Sequence, residues 1–216
     1  MIRFFVFLFV LLITTPLWAQ DSLRFQKEVI KLIAGDSAVN KKDVILFTGS
    51  SSIRLWASLK KDFPNRNVIN RGFGGSEMTD LVNYVDKLIV PYHPNQIFIY
   101  EGDNDLGVGK SPEEILVQAD KLLLLIREKL PRKTQILFIS PKPSLLRWKL
   151  KDKYQDYNQK LEAWTKQQKN VTFVDVWTPM LEPDGNVKQD LFLEDSLHMN
   201  RKGYDIWAKV IGPYIK

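Results

Sequence analysis

A serine run, a glycine turn, a carboxamide and a late acid and imidazole pair carry most of the chemistry this chain can offer. Gly49-Ser50-Ser51-Ser52 follows the apolar run Asp43 to Phe47, and Asn70-Arg71-Gly72-Phe73-Gly74-Gly75-Ser76 follows a second short run. Glu101-Gly102-Asp103-Asn104-Asp105 follows a third, and Asp195-Ser196-Leu197-His198 stands near the C-terminus. A hydroxyl can attack an acyl carbon if a base takes its proton. Amides of a glycine turn and an uncharged carboxamide can hold the oxyanion that forms. A carboxylate three positions from a histidine can hold the imidazole in one tautomer. These are the parts of acyl transfer. By residue type alone any of the three serines could supply the hydroxyl or simply cap a helix.

The elements that must position these groups are legible in the hydrophobic pattern. Asp43 to Phe47, Asn67 to Ile69, Gln96 to Tyr100, Thr134 to Ile139 and Val171 to Val174 are short β-branched and aromatic runs. They are nearly continuous rather than alternating, as strands covered on both faces should be. Helical segments are expected between them over Ser52 to Lys60, Ser76 to Leu88, Pro112 to Lys129 and a lysine-rich stretch ending near Gln168. A last helix should open after Asn200 and turn Tyr204, Trp207, Ala208 and Ile211 inward. Ser111-Pro112-Glu113-Glu114 marks one start, with Ser as cap, Pro at the first position and Glu at the third. Strands alternating with helices of crossover length predict an α/β protein with a parallel sheet. In such a sheet ligands bind beyond the carboxyl ends of the strands, which is where the candidate residues fall. His93, in Tyr92-His93-Pro94 before a strand, falls at the opposite end.

Composition narrows the classes further. The chain has 216 residues, 44% hydrophobic and 26% charged, and reads as one domain. Its formal charge of +6 is thinly spread, with no basic stripe carrying interleaved aromatics, so nucleic acid is not an expected partner. With no cysteine and two histidines, a disulfide scaffold and a cysteine nucleophile are excluded, and no metal or cofactor is expected. Consecutive carboxylates in Glu101 to Asp105 lack the spacing of a calcium loop. Residues 1–19 read as a signal peptide: Arg3, the ten apolar residues Phe4 to Ile13, and Leu17-Trp18-Ala19 as the cleavage site. Ten apolar residues are too short for a helix across about 30 Å of hydrocarbon. Residues 20–216 form the single expected catalytic domain, in a periplasmic or secreted protein with no stable membrane span after cleavage.

The blocks in their order resemble the SGNH or GDSL-type esterases and acylhydrolases. Gly49-Ser50-Ser51 is similar to the Gly-Asp-Ser motif of that family, with Ser50 in place of Asp. The resemblance implies Ser51 as nucleophile, the Gly75 amide and the Asn104 side chain as oxyanion donors, and Asp195 and His198 as acid and base. It selects Asp195 over Asp190 and Glu194. It also implies a three-layer α/β/α sandwich around a parallel sheet of about five strands, the SGNH-hydrolase (flavodoxin-like) type. The implied activity is hydrolysis of carboxylic esters by a Ser-His-Asp mechanism. The first substrate choice is an acetyl or other short acyl ester on a small molecule or an acetylated glycan. A lysophospholipase or thioesterase-like acylhydrolase is the enzymatic alternative, and a non-catalytic carbohydrate-binding protein the alternative of another class. Trp148 and Trp177 are the aromatic residues expected as pocket walls. The oligomeric state is not fixed by the sequence.

Overall fold

The computed structural model describes residues 24–216; the expected signal peptide lies outside them. Five strands form one parallel sheet: β1 (Val44–Gly49), β2 (Asn67–Gly72), β3 (Gln96–Tyr100), β4 (Gln135–Ile139) and β5 (Val171–Val174). Their order is β2-β1-β3-β4-β5, and every neighbouring pair is parallel. The helices are α1 (Gln26–Ile33), α2 (Ser51–Arg54), α3 (Leu59–Asp62), α4 (Met78–Leu88), α5 (Asp103–Gly107), α6 (Pro112–Lys129), α7 (Lys151–Lys166) and α8 (Arg201–Ile211).

Alternate residues of each strand feed two cores. Leu46, Ile97, Ile99 and Phe138 pack with α1, α4, α6 and α7 on one face. Phe47, Phe98, Tyr100 and Leu137 pack with α2, α3 and α8 on the other. Both faces of the sheet are therefore covered, which explains the unbroken apolar runs. The expected three-layer α/β/α arrangement is the observed one. No helix among the described residues is long and apolar enough to cross a membrane.

Two helix ends follow directly from their caps. Ser111 Oγ accepts from the Glu114 amide while Glu114 Oε2 accepts from the Ser111 amide, so α6 begins where its sequence says. Asn200 Oδ1 accepts from the Lys202 amide at 2.9 Å and starts α8, which buries Tyr204, Trp207 and Ile211 and packs Ala208 at the edge of the core. The expected helix over Ser52 to Lys60 is instead two short turns, α2 and α3. The break at Leu55 to Ser58 lets Trp56 sink into the core against Phe47 and Trp207, with its Nε1 donating to Asp62 at 2.7 Å. Burying an indole that large outweighs the few hydrogen bonds of a continuous helix.

Gly49 is the tightest point of the frame. It ends β1 at φ 120°, a conformation L side chains rarely adopt, and a Cβ there would collide with the Tyr100 carbonyl at the end of β3. Gly109 has a similar φ of 101° but open space around its Cβ position. Gly49→Ala should therefore lose more stability than Gly109→Ala, whose cost is backbone strain alone, about 1–3 kcal/mol. Urea unfolding of both variants tests this; equal losses would mean that the approach to Tyr100 is not what requires glycine.

Candidate active site

The order β2-β1-β3 makes successive connections leave β1 in opposite directions, and the crevice this opens lies at the carboxyl ends of β1 and β3. The three serines turn there from β1 into α2. Ser50 is buried, and its Oγ accepts from Asn104 Nδ2 at 2.7 Å. Ser52 is buried too, and its carbonyl accepts from the Tyr204 hydroxyl at 2.9 Å. Ser51, the first residue of α2, is half-exposed, and its Oγ lies 2.9 Å from His198 Nε2. Position at a helix start thus separates three chemically identical residues.

His198 and Asp195 come from a tight loop before α8. Phe192 and Met199 form an antiparallel bridge, and the Leu193 amide donates to the His198 carbonyl at 2.8 Å. Between them Ser196 takes a left-handed φ of 59°, and Asp195 Oδ1 accepts from the amides of Leu197 and His198 at 2.9 and 2.8 Å. The other oxygen, Oδ2, lies 2.6 Å from His198 Nδ1. With the Nδ1 proton directed at the carboxylate, Nε2 presents its lone pair to the Ser51 hydroxyl. Desolvation opposes ionisation of Asp195, but the hydrogen bonds from the His198 ring and the two amides outweigh it and hold the carboxyl at about 2. Asp190 pairs with Lys202 at 2.8 Å, and His93 stands exposed at the amino end of β3.

Asn104 and Gly75 complete the cluster. Asn104, on α5, donates through Nδ2 to the Ser76 carbonyl at 2.8 Å as well as to Ser50, so it bridges the serine turn and the glycine turn. Gly75 is exposed with φ 61° and open space around its Cβ position, and its amide donates to no described residue. A free amide in an exposed turn can bond an incoming anion. The structure thus joins Ser51, His198 and Asp195 by direct hydrogen bonds, while Asn104 bonds the neighbouring Ser50 and holds the turn that contains Gly75.

The sequence reading did not reach the partners that support these residues. Ser76 Oγ donates to Glu101 Oε1 at 2.6 Å, and the Met78 amide donates to Asp105 Oδ2 at 3.0 Å, which fixes the glycine turn to the end of β3. Lys142 and Arg147 reach the site from the segment after β4. The one signal available was position: Pro141-Lys142-Pro143 begins just two residues after β4, at the carboxyl edge of the sheet. Among the described residues no group of three His, Cys, Asp or Glu side chains is arranged to hold a metal ion.

The sequence profile of the GDSL-like lipase/acylhydrolase family matches residues 33–206, from the end of α1 to within α8. The chain belongs to that family. As a GDSL-like member it falls among hydrolases, and solved structures share its fold. One, described as a candidate platelet activating factor from Streptococcus pneumonia, is 23% identical with a TM-score of 0.79, covering 88% of this chain and 92% of its own. A GDSL-like lipase from Bacteroides thetaiotaomicron is 21% identical with a TM-score of 0.73, covering 90% and 98%. A catalytic mutant of an acetylxylan esterase from Geobacillus stearothermophilus is 16% identical with a TM-score of 0.66, covering 81% and 94%. No curated protein matches this GDSL-like chain in sequence.

Glu101 gives this GDSL-like site an unusual pH signature. Burial raises its pKa well above the usual glutamate range; the Ser76 bond opposes this, while the nearby Asp105, Asp80 and Glu77 carboxylates reinforce it. The folded chain therefore binds this proton more tightly than the unfolded chain does. Stability is lost as pH rises above the unfolded value of about 4.3, by up to about 1.4 kcal/mol per pH unit, until the folded group itself ionises. Glu101→Gln has no such proton. The unfolding free energy of wild type minus that of Glu101→Gln should fall as pH rises from about 4 towards neutrality. A flat or rising difference in denaturant titrations would mean that the buried carboxyl is ionised.

Proposed function

We propose that this chain is a serine esterase that removes acetyl or other short acyl groups from an alcohol, with a carbohydrate as the preferred alcohol. The observation that carries the reading is the unbroken line from Asp195 Oδ2 through His198 to Ser51 Oγ, at 2.6 and 2.9 Å. Ser51 attacks the acyl carbon as His198 Nε2 takes its proton. Asp195 stabilises the imidazolium, and the Gly75 amide and Asn104 Nδ2 receive the oxyanion. Collapse of the tetrahedral intermediate returns the proton to the leaving alcohol and leaves Ser51 acylated. Water, activated by the same imidazole, then releases the acid. For Asn104 to serve, Nδ2 must give up one of its ground-state acceptors, Ser50 Oγ or the Ser76 carbonyl, to the oxyanion.

The short-acyl carbohydrate reading is supported by a cleft of about 500 Å³ beside the loop that carries His198. Trp148 and Leu145 supply its apolar wall, and Glu182, Asn186 and Gln189 its polar one, a combination suited to a sugar ring and its hydroxyls. The Leu146 amide ties this wall to the Ser196 carbonyl at 3.0 Å. Of the two tryptophans expected as walls, Trp148 is partly exposed, whereas Trp177 is buried, with Trp148 stacked at 6.0 Å and Tyr154 beside it. The apolar run of Phe4 to Ile13 supports action outside the cytoplasm, in the periplasm or beyond it.

A specific observation favours the second reading, a longer lipid-like acyl ester. Leu55, Val108, Leu146 and Leu193 are exposed. Their backbone amides donate to the carbonyls of Ser51, Asn104, Ser196 and His198, so four exposed apolar residues lie one backbone hydrogen bond from the site residues and the His198 loop. A panel of C2 to C12 esters separates the readings, because each buried methylene contributes about 0.8 kcal/mol in an accommodating groove. The expected result is greatest kcat/KM at the short end, acetate release from an acetylated glycan, and near-complete loss in a normally folded Ser51→Ala protein. An optimum at C8 or longer without acetate release would establish the lipid-like reading, and full turnover by Ser51→Ala would remove the serine mechanism altogether.

A further inference from the structure

We propose that Asp103, through Lys142 and Arg147, is a positioning residue that holds the oxyanion donor Asn104 and the acid-base loop of Asp195 and His198 in register with Ser51. The proposal rests on the esterase reading for its kinetic part. Its structural part stands on contacts that the chemistry of ester cleavage does not itself require.

Asp103 is buried directly behind Asn104 and serves as the anion of a desolvated cluster. Its Oδ1 accepts from Arg147 Nη1 and from the Tyr154 hydroxyl, each at 2.5 Å, and its Oδ2 accepts from the Tyr100 hydroxyl at 2.8 Å. Lys142 Nζ lies 3.6 Å from the same Oδ2. Each cation then reaches onward. Arg147 Nη2 donates to Asn104 Oδ1 at 3.0 Å, and with Oδ1 occupied the amide can present only Nδ2 to the crevice. Lys142 Nζ donates to the Leu197 carbonyl at 2.7 Å, on the peptide unit whose amide, that of His198, donates to Asp195 Oδ1. One carboxylate therefore organises two arms, one ending at the oxyanion donor and one at the base.

The make-up of the cluster argues against mere packing. Lys142 is fully buried, and taking an ammonium out of water carries a desolvation penalty that an apolar side chain of similar length would avoid. The guanidinium is the one side chain whose planar fork can bond Asp103 and Asn104 together. Burial works against ionisation of Asp103, but Lys142 and Arg147, with the two tyrosine hydroxyls, hold its carboxyl at about 2, so the anchor is charged at neutral pH.

The test is a pair of double-mutant cycles with a spectroscopic readout. Arg147→Met and Lys142→Met should each lower kcat about 10²-fold, the scale of a misplacement near 1 Å, with KM little changed. The Arg147→Met loss should vanish in an Asn104→Ala background and persist in Asp195→Ala; the Lys142→Met loss should do the reverse. A merely structural role would multiply the losses in every background. Arg147→Lys, whose ammonium cannot span both acceptors, should lose nearly as much as Arg147→Met, and this partly exposed position decides the matter if Lys142→Met does not fold. In proton NMR the downfield His198 Nδ1 resonance should shift or broaden in Lys142→Met, or in Lys142→Gln if that variant alone folds, and stay in place in Arg147→Met. That signal needs no turnover, so a wild type that cleaves no ester would overturn the esterase reading while the resonance still tests the Lys142 arm. Multiplicative losses with an unmoved His198 resonance would overturn the positioning role.

Discussion

The Ser50 amide donates to the Tyr100 carbonyl at 3.0 Å, and much of the site hangs on that bond. It joins the end of β1, which delivers Ser51, to the end of β3, which delivers Asn104. The Phe73 amide, donating to the Gly49 carbonyl at 2.9 Å, adds the end of β2 and with it the glycine turn. Three strand ends are thus laced together within a few residues, and only glycine at 49 lets β1 come that close to β3. The interaction is local, but its consequence is long-range: three blocks spread from residue 49 to residue 104 meet at one crevice, each within a few residues of a strand end. The fourth block arrives differently, on the loop before α8. That loop is fixed by its own turn and by Lys142, which makes it the arm whose geometry depends most on side chains.

Beneath the crevice two carboxyl groups only two residues apart are driven in opposite directions. Asp103 faces two cations and two hydroxyl donors and is an anion; Glu101 faces three carboxylates and a single serine hydroxyl and is pushed towards neutrality. Burial is common to both, so it is the partners that decide the sign. The difference serves the layout of the site. An anion at Asp103 can hold cations that orient Asn104 and the His198 loop. A second anion at Glu101, under the glycine turn, would raise the cost of the oxyanion in the proposed mechanism.

How much of this was legible in the sequence follows from how far each feature reaches along the chain. The five apolar runs, the capped starts of α6 and α8 and the four candidate blocks are local patterns, and each marked its element or cluster. The helix expected over Ser52 to Lys60 broke because Trp56 packs against residues from β1 and α8, which no window of nine residues contains. Lys142 and Arg147 were invisible for the same reason at larger scale. Their partners, Leu197 and Asn104, lie 55 and 43 positions away, and the neighbouring Lys149 to Lys153 reads as solvated charge. Among the three serines, type could not choose; the family pattern chose Ser51, and burial of Ser50 and Ser52 gives that choice a physical reason.

Chemistry and substrate are carried by different parts of the molecule. The candidate nucleophile and oxyanion donors sit at or just after strand ends, where sheet register limits how far any of them can drift. The walls of the adjacent cleft come from the segments around Leu145 to Trp148 and Glu182 to Asp190, which follow β4 and β5 and contain only single 3₁₀ turns. Such segments can change length and side chains without disturbing the sheet. The frame itself is shared at identities of 16–23%, so the sheet and its strand ends can persist while the segments around them vary. In this chain the two kinds of segment meet where the Leu146 amide donates to the Ser196 carbonyl, on the same loop that Lys142 holds through the Leu197 carbonyl.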